Sequence, residues 1–289
     1  MSPRGVGGVA VAAIRRRPSH TAEQVSQLLL GEPFQVVVGD VRKEWLRIRC
    51  EWDGYEGWVR SWHLMLQSEA EARRWRSAAG WNVAQLLAVV RREPRATAEP
   101  LVPLPWGSAL LAAVGAAPPG WLRVGLPDGS RGYLRRREVA PRSGLRPAPT
   151  AASLERTARR FLGVPYEWGG RSSWGMDCSG LVQTVLAWHG VRLPRDAWMQ
   201  ARAMGLERSW KGPPSSTRWR AGNLAFFGPE RGRISHVGIL GTGRTLLHAL
   251  GSVRADGLAN SSEVMIKQLV TRYRGEISPG PKRNPENSR

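Results

Sequence analysis

The chain has 289 residues, with 43 basic and 23 acidic side chains that give it a formal charge of +20. An apolar content of 42% is enough for ordinary cores, which excludes a disordered chain, and the length predicts two or three domains. The basic residues are spread through both halves as arginine pairs and triplets, which disfavours a nucleic-acid-binding function. A solvated arginine-rich surface and attraction to anionic polymers or acidic peptides are the two remaining interpretations of the charge.

The N-terminal segment contains a brief run of small apolar residues that ends at three arginines, Arg15 to Arg17. This run is too weak for a secretory signal, and no segment approaches the ~18 to 20 apolar residues that a transmembrane helix needs. We therefore expect a cytoplasmic protein without membrane insertion, with secretion as the alternative. No motif in the sequence indicates the oligomeric state.

The first half of the chain is a duplication. Residues 16–23 and 92–99 share proline followed by Thr-Ala-Glu at an offset of 76 residues, and the same offset relates residues 45–48 to 121–124. Each copy alternates apolar runs with Asp-Gly or Gly-Glu turn signals, which predicts a small antiparallel barrel. The pattern resembles bacterial SH3 domains.

The boundaries follow from shifts in composition and periodicity. We predict a first SH3-like barrel at 1–66, a helical linker at 67–80, a second barrel at 81–141, a linker at 142–150, a third domain at 151–277 and a flexible tail at 278–289.

The third domain places a cysteine at the start of a predicted helix. Asp177 and Ser179, on either side of Cys178, are N-cap residue types, and apolar residues recur at helical spacing over 181–186 until Gly190. The positive end of the helix dipole favours the thiolate, which is the nucleophilic form. The other cysteine, Cys50, falls in a barrel strand, so we expect both to be reduced thiols.

A second helix is predicted to start at Asp196, which follows Leu-Pro-Arg and precedes Ala-Trp-Met-Gln. As the N-cap residue, Asp196 has the structural role of starting that helix. A carboxylate in this position is also kept ionised, because the helix dipole stabilises its charge.

Two histidines lie in predicted strands at 233–240 and 245–249. A three-residue loop at 241–243 would pair Leu240 with Arg244, and therefore His236 with His248. One imidazole would then take the thiol proton while the other fixes its orientation, as in cysteine hydrolases. The alternative is that each histidine is an ordinary half-buried polar residue.

A zinc site is the other chemical alternative, with ligands from Asp177, Cys178, His236 and His248. No short-spaced pair such as CxxC or HExxH is present, so we expect neither a metal nor another cofactor.

Five motifs in one order carry a family resemblance. They are PYxWGG at 165–170, DCSGLVQ at 177–183, LPRDA at 193–197, SHVGI at 235–239 and LLHA at 246–249. Together they resemble the NlpC-type papain-like peptidases, which cleave γ-D-glutamyl bonds in peptidoglycan stem peptides. The resemblance covers residues 151 to 275. The expected fold is multidomain, with two small all-β SH3-like barrels followed by an α+β papain-like cysteine peptidase domain.

The resemblance also assigns roles to individual residues. It makes Cys178 the nucleophile, His236 the general base and His248 the third polar residue. Asp196 matches an aspartate that receives the substrate ammonium in members specific for a free N-terminal L-alanine. The remaining candidate substrate contacts in this domain are Tyr166, Trp168, Asp177 and Ser179.

The first barrel supplies two further candidates by analogy with three-domain relatives of this architecture. In them the first barrel closes one end of the groove, and here Tyr55 and Glu23 would reach the substrate amine or block longer chains. The second copy keeps Glu99 but has Ser130 where the first has Tyr55. An exposed turn aromatic and a turn-capping glutamate are the structural alternatives.

The resemblance implies a γ-D-glutamyl-L-diamino acid endopeptidase of the dipeptidyl-peptidase VI type. It would act on murein stem peptides, L-Ala-γ-D-Glu-diamino acid, in murein recycling. The alternatives are a secreted or wall-associated hydrolase, a non-catalytic wall-binding protein, and a papain-like acyltransferase or amidase. The chain departs from the family pattern at Asn223. Members often have aspartate at this position, which precedes the strand that carries the general base His236.

Overall fold

The computed structural model describes residues 3–38, 40, 42–112, 115–142, 147–206, 219–258 and 263–279. Parts of the predicted linker at 142–150 and most of the predicted tail at 278–289 lie outside these ranges. Contacts divide the chain into two units, Met1–Leu145 with Val164–Gly180, and Arg146–Gly163 with Leu181–Arg289.

The first unit begins with a barrel built from an antiparallel sheet. Its strands within the described residues are β1 (Arg4–Gly7), β2 (Val11–Arg15), β3 (Gln24–Leu29), β4 (Pro33–Val38), β5 (Trp45–Cys50), β6 (Glu56–Arg60) and β7 (Leu64–Gln67). They are hydrogen-bonded in the order β3-β2-β6-β5-β4-β1-β7. Alternation along β2, β5 and β6 sends Ile14, Leu46, Ile48 and Val59 into a fully buried core around Phe34.

The second barrel repeats this topology strand for strand. Its strands are β8 (Trp81–Val83), β9 (Leu87–Arg91), β10 (Pro100–Pro105), β11 (Ala109–Ala112), β12 (Trp121–Gly125), β13 (Arg131–Arg135) and β14 (Val139–Pro141). Their order is β10-β9-β13-β12-β11-β8-β14, in which every strand lies seven positions after its counterpart in the first sheet. Register shifts also recur at equivalent places, beside Val25 and Leu101. The predicted duplication is confirmed.

A helix, α1 (Glu69–Ala78), follows the first barrel. Ser68 and Glu71 form a capping box at its N-terminus, which satisfies backbone donors that the helix leaves open. Trp75 is buried, and its indole Nε1 donates to the carbonyl of Gly31 at 2.9 Å. This contact anchors the helix to a turn of the barrel.

The first unit also contains the segment 164–180. It forms a short hairpin of β15 (Arg171–Ser172) and β16 (Gly175–Met176) and ends in the first residues of α3 (Cys178–Trp188). Its strand β15 contacts β3 of the first barrel.

The second unit is an antiparallel sheet with helices packed against it. Its strands in the described ranges are β17 (Leu224–Phe227), β18 (His236–Leu240), β19 (Thr245–Leu250), β20 (Ser252–Gly257) and β21 (Tyr273–Ile277), in the order β20-β19-β18-β17-β21. The helices are α2 (Ala151–Arg159), α4 (Ala197–Ala203), α5 (Val264–Thr271) and most of α3. Helices α2 and α4 both contact β18. The predicted fold class, all-β barrels followed by an α+β domain, is confirmed.

In the part of the chain that the structure describes, no helix is long and apolar enough to cross a membrane.

Candidate active site

Cys178 is the first residue of α3, and Asp177 fixes it there. The Asp177 Oδ1 atom accepts from the backbone N–H of Gly180 at 2.7 Å and from the Ser179 hydroxyl at 3.1 Å. This is the predicted N-cap interaction, which is thereby confirmed. The second oxygen of Asp177 accepts from the backbone N–H of Gly169 at 3.0 Å. Cys178 therefore lies at the positive end of a helix dipole, where a thiolate is favoured.

Trp168 and Glu23 are brought together in the first unit. Trp168 is 62% exposed, and its Nε1 donates to Glu23 Oε1 at 2.8 Å. The other Glu23 oxygen accepts from Arg16 at 2.6 Å, and this bond, with the Trp168 bond adding to it, lowers the pKa of Glu23. The second barrel repeats the ion pair between Arg92 and Glu99 at 2.6 Å. The arginine–glutamate pair is thus common to both copies, whereas the tryptophan bond is a feature of Glu23.

Polar side chains of β3, which no sequence motif marks, hold the segment before Cys178. Gln24 Nε2 donates to Glu167 Oε1 at 2.8 Å. Gln27 Oε1 accepts the backbone N–H groups of Arg171 and Ser172 at 2.9 and 3.0 Å. Together they fix the backbone on which Trp168 lies.

The two predicted tyrosines occupy separate places in the first unit. Tyr55 immediately precedes β6, packs half-buried against the core of the first barrel, and donates its backbone N–H to Asp53 at 3.0 Å. Tyr166 is half-buried and pairs with Met176 through a β-bridge. Their contacts with substrate stay predictions.

In the second unit, His236 and His248 are hydrogen-bonded to each other. His236 Nε2 lies 2.8 Å from His248 Nδ1, with the rings nearly perpendicular. His248 is fully buried, and its Nε2 lies 2.7 Å from Asp256 Oδ2. The histidine pair was predicted from the sequence, whereas Asp256 was not.

The strand register that brings the histidines together differs from the predicted one. Leu240 pairs with Leu246, two residues beyond the predicted partner, because a 3-10 turn lengthens the connecting loop. His248 therefore lies opposite Gly238, and His236 is its diagonal neighbour. A Cβ on Gly238 would lie 3.0 Å from the His248 Cβ, so glycine leaves space for the diagonal contact.

Burial and hydrogen bonding set the charges of this group. Burial lowers the pKa of His236 to about 3, and the neighbouring His248 adds to the effect. Burial also opposes ionisation of Asp256, but hydrogen bonds from His248 and Arg254 outweigh it and hold the pKa of Asp256 below its usual range. The arrangement therefore joins a neutral His236 to an ionised Asp256 through the ring of His248.

Asp196 occupies the N-cap position of α4, as predicted. Its backbone is extended, and its carbonyl accepts from the backbone N–H of Gln200 at 2.9 Å. The side chain is half-buried and makes no capping hydrogen bond to this helix. Its predicted role in binding an ammonium group stays a prediction.

Asn223 makes a contact that aspartate could not make. Its amide Nδ2 donates to Glu276 Oε1 of β21 at 3.0 Å, while its backbone carbonyl accepts from Leu240. Two carboxylates at this distance would repel each other, so asparagine is the residue that suits Glu276.

Both cysteines are reduced thiols, as predicted. Burial raises the pKa of Cys50 well above its usual value, which suits an inert core position. No group of three His, Cys, Asp or Glu within the described ranges is arranged to hold a metal ion.

A thiol at a helix N-terminus and an imidazole pair anchored by a carboxylate are the chemical groups of a papain-like cysteine hydrolase. The model of the NlpC/P60 family matches residues 163–274, and that of the bacterial dipeptidyl-peptidase Sh3 domain matches residues 14–64. Dipeptidyl-peptidase 6 of Lysinibacillus sphaericus is 30% identical over 192 residues, which cover 65% of this chain and 70% of that protein. The chain belongs to the NlpC/P60 family, as its motifs predict.

Two further relatives are informative. Gamma-D-glutamyl-L-lysine dipeptidyl-peptidase of Bacillus subtilis is 37% identical over 132 residues, which cover 45% of this chain and 41% of that protein. The crystal structure of an NlpC/P60 family protein from Bacillus cereus has a TM-score of 0.78 at 21% identity, and the match covers 96% of this chain and all of that one. This likeness supports the fold over almost the whole chain.

Proposed function

We propose that this chain is a cysteine endopeptidase that hydrolyses the bond between γ-D-glutamate and the diamino acid of cell-wall stem peptides with a free N-terminal L-alanine. The diamino acid is diaminopimelate or lysine. The observation that carries the proposal is the 2.8 Å bond between His236 and His248, because a cysteine nucleophile needs such a pair of base and orienting residue. The name of the Bacillus subtilis relative, gamma-D-glutamyl-L-lysine dipeptidyl-peptidase, supports the bond that is cleaved.

In the proposed reaction, the Cys178 thiolate attacks the γ-D-glutamyl carbonyl carbon. The oxyanion accepts a hydrogen bond from the Cys178 backbone N–H at the helix start. His236, which takes the thiol proton, returns it to the leaving amine of the diamino acid as the C–N bond breaks. Water then hydrolyses the thioester, with His236 as the base, and releases L-Ala-γ-D-Glu.

Two carboxylates are proposed to select peptides that keep their free amine. Glu23, whose lowered pKa keeps it ionised, and Asp196 at the start of α4 are the candidate partners of the L-alanine ammonium. A blocked amine would leave a carboxylate desolvated without a counter-charge, which costs binding energy. Trp168 offers an exposed ring next to Glu23. Tyr55, Tyr166 and Ser179 are proposed to line the rest of the site.

The test is mass spectrometry of three peptides after incubation with purified protein. They are L-Ala-γ-D-Glu-diaminopimelate, its N-acetylated form, and an intact muropeptide. We expect cleavage of the free tripeptide alone, and loss of that cleavage in Cys178→Ala. Equal cleavage of the blocked peptides would refute the amine anchor, and cleavage of none would favour wall binding or acyl transfer.

The duplicated barrel offers a matched control for Glu23. Glu23→Gln should lower kcat/KM for the free tripeptide by roughly 10- to 100-fold, since hydrogen-bonded charges are worth about 1.5–3 kcal/mol. Glu99→Gln breaks the same arginine pair in the second barrel and should leave kcat/KM at the wild-type value. Equal effects of the two substitutions would refute a role of Glu23 in binding the substrate amine.

We also propose that the protein acts in murein recycling in the cytoplasm, where free stem peptides are its substrates. The support is the expected preference for a free amine. Fractionation of cells that produce the protein tests this location, and recovery in the wall fraction would contradict it.

A further inference from the structure

His236, His248 and Asp256 form a diagonal across three neighbouring strands, β18, β19 and β20. His248 pairs directly with Arg254, so Asp256 lies two residues further along β20 on the same face. His236 has the same diagonal relation to His248 across β18 and β19. Diagonal neighbours on one face are roughly 7–8 Å apart, which is within reach of ring side chains.

The hydrogen bonds along this diagonal fix the order of the protons. An ionised Asp256 accepts only, so His248 Nε2, at 2.7 Å, carries the proton between them. When His248 carries this single proton, its Nδ1 has a lone pair, and His236 Nε2, at 2.8 Å, donates to it. The remaining nitrogen of His236, Nδ1, is left with its lone pair.

Asp256 is itself held in place. Arg254 donates to both of its oxygens, at 2.7 and 2.8 Å, and also bonds Glu263 at 2.7 Å. The carboxylates of Asp256 and Glu263 and the guanidinium of Arg254 together have a formal charge of one negative unit. His248 and Arg254 are the charged or titratable groups within hydrogen-bond distance of Asp256 in the described residues, and Glu263 is reached through Arg254.

We propose that Asp256 is a positioning residue that fixes the tautomers of His248 and His236, so that His236 Nδ1 is the atom that accepts the thiol proton. This inference rests on the proposed function only in that His236 is the base. Asp256 does not touch the substrate; it acts through His248.

The same carboxylate stabilises the charged form of the base. His236 becomes an imidazolium when it takes the thiol proton, although its burial disfavours that charge and lowers its pKa to about 3. The imidazolium of His236 then donates to His248, which donates to Asp256. Only the ring of His248 separates the negative charge of Asp256 from the new positive charge on His236. The carboxylate need not accept a proton for this, as in serine proteases.

The first test is nitrogen NMR of the wild-type protein with ¹⁵N-labelled histidine at neutral pH. The chain has five histidines, so single substitutions suffice to assign their signals. We expect Nδ1 of both His236 and His248 to be unprotonated and Nε2 of both to be protonated. A protonated Nδ1 on neutral His236 would overturn the proposal, and this readout needs neither a variant nor activity.

The second test is Asp256→Asn, whose amide can donate where the carboxylate accepts. We expect the proton of His248 to move to Nδ1, His236 to become protonated on Nδ1, and kcat to fall roughly 10²- to 10⁴-fold with little change in KM. Glu155→Gln is the matched control, because Glu155 is a buried carboxylate that accepts from Thr242 in the loop between β18 and β19. It should keep the wild-type tautomers and kcat.

The outcomes separate this inference from the proposed function. If no peptide is cleaved by the wild type but the tautomers are as expected and shift in Asp256→Asn, the inference holds and the proposed substrate is wrong. If the wild type cleaves and Asp256→Asn keeps the kcat and the pH profile of the Glu155→Gln control, the inference is wrong and the proposed function stands.

Discussion

Replacing Arg171 with methionine tests the ion pair that fastens the segment before Cys178 to the first barrel. The Arg171 guanidinium donates to both oxygens of Glu32, at 2.6 and 2.9 Å, and to the carbonyl of Gln27 at 3.2 Å. The side chains of Arg171 and Glu32 are only 9% and 16% exposed. Methionine keeps much of the length and apolar stem of arginine but removes its charge.

The expected loss follows from this burial. Burial alone would lower the pKa of Arg171, but the Glu32 carboxylate raises it above its ordinary value, so the guanidinium stays charged at every relevant pH. Arg171→Met leaves the Glu32 carboxylate buried without its counter-ion, which costs about 3–5 kcal/mol of the free energy of unfolding. Replacing Glu32 with leucine in the same chain removes that stranded charge and should restore most of the loss.

The assay is urea unfolding followed by the fluorescence of the 14 tryptophans. Arg49→Met is the control, because it breaks the pair with Glu56 in which Arg49 is 52% exposed. That substitution should cost at most about 1 kcal/mol. A stabilising role of the buried pair is excluded if Arg171→Met loses no more stability than Arg49→Met, or if the double variant is no more stable than Arg171→Met.

Three further results are expected. Gly238→Ala places a Cβ 3.0 Å from that of His248, so kcat should fall while KM holds, and steady-state kinetics with wild-type kcat would contradict the diagonal contact. His236 has a folded pKa of about 3, below its ordinary value, so the folded protein binds fewer protons than the unfolded chain. Its stability should fall as pH drops from about 6.5 towards 3, by up to about 1.4 kcal/mol per unit, and His236→Asn should flatten that dependence in urea titrations. Trp168→Phe removes the donor to Glu23 and should raise KM several-fold at unchanged kcat. An unchanged KM would show that this hydrogen bond does not contribute to substrate binding.

The start of α3 was predictable because its signals are local. Asp177 is an N-cap type one residue before Cys178, and apolar residues follow at helical spacing, so the capping bond to Gly180 needed no knowledge of distant contacts. The start of α4 at Asp196 was predictable for the same reason.

The histidine pair was predicted from a wrong register between the strands that carry His236 and His248. The Gly-Thr-Gly sequence suggested a three-residue loop, but the structure pairs Leu240 with Leu246, and the histidines meet diagonally. Asp256 was not predicted from the sequence, because no motif marks it. The single glycine between β19 and β20 was the available signal, since a tight turn at Gly251 pairs His248 with Arg254 and brings Asp256 alongside.

The contacts between β3 and the segment before Cys178 are long-range and leave no local pattern. Comparison of the two copies was the available signal, because the second barrel has Pro100 and Pro103 at the positions of Gln24 and Gln27. Prolines there lack the amide side chains that bond Glu167 and the backbone of the segment. The polar face is therefore specific to the first copy.

The mass of the intact protein, quenched rapidly after mixing with L-Ala-γ-D-Glu-diaminopimelate, tests whether Cys178 forms an acyl-enzyme. A cysteine peptidase that cleaves at γ-D-glutamate predicts a transient mass increase by one L-Ala-γ-D-Glu acyl group, located on Cys178 and absent from Cys178→Ala. Release of the diamino acid at the wild-type rate by Cys178→Ala, or an acyl group on another residue, would contradict it.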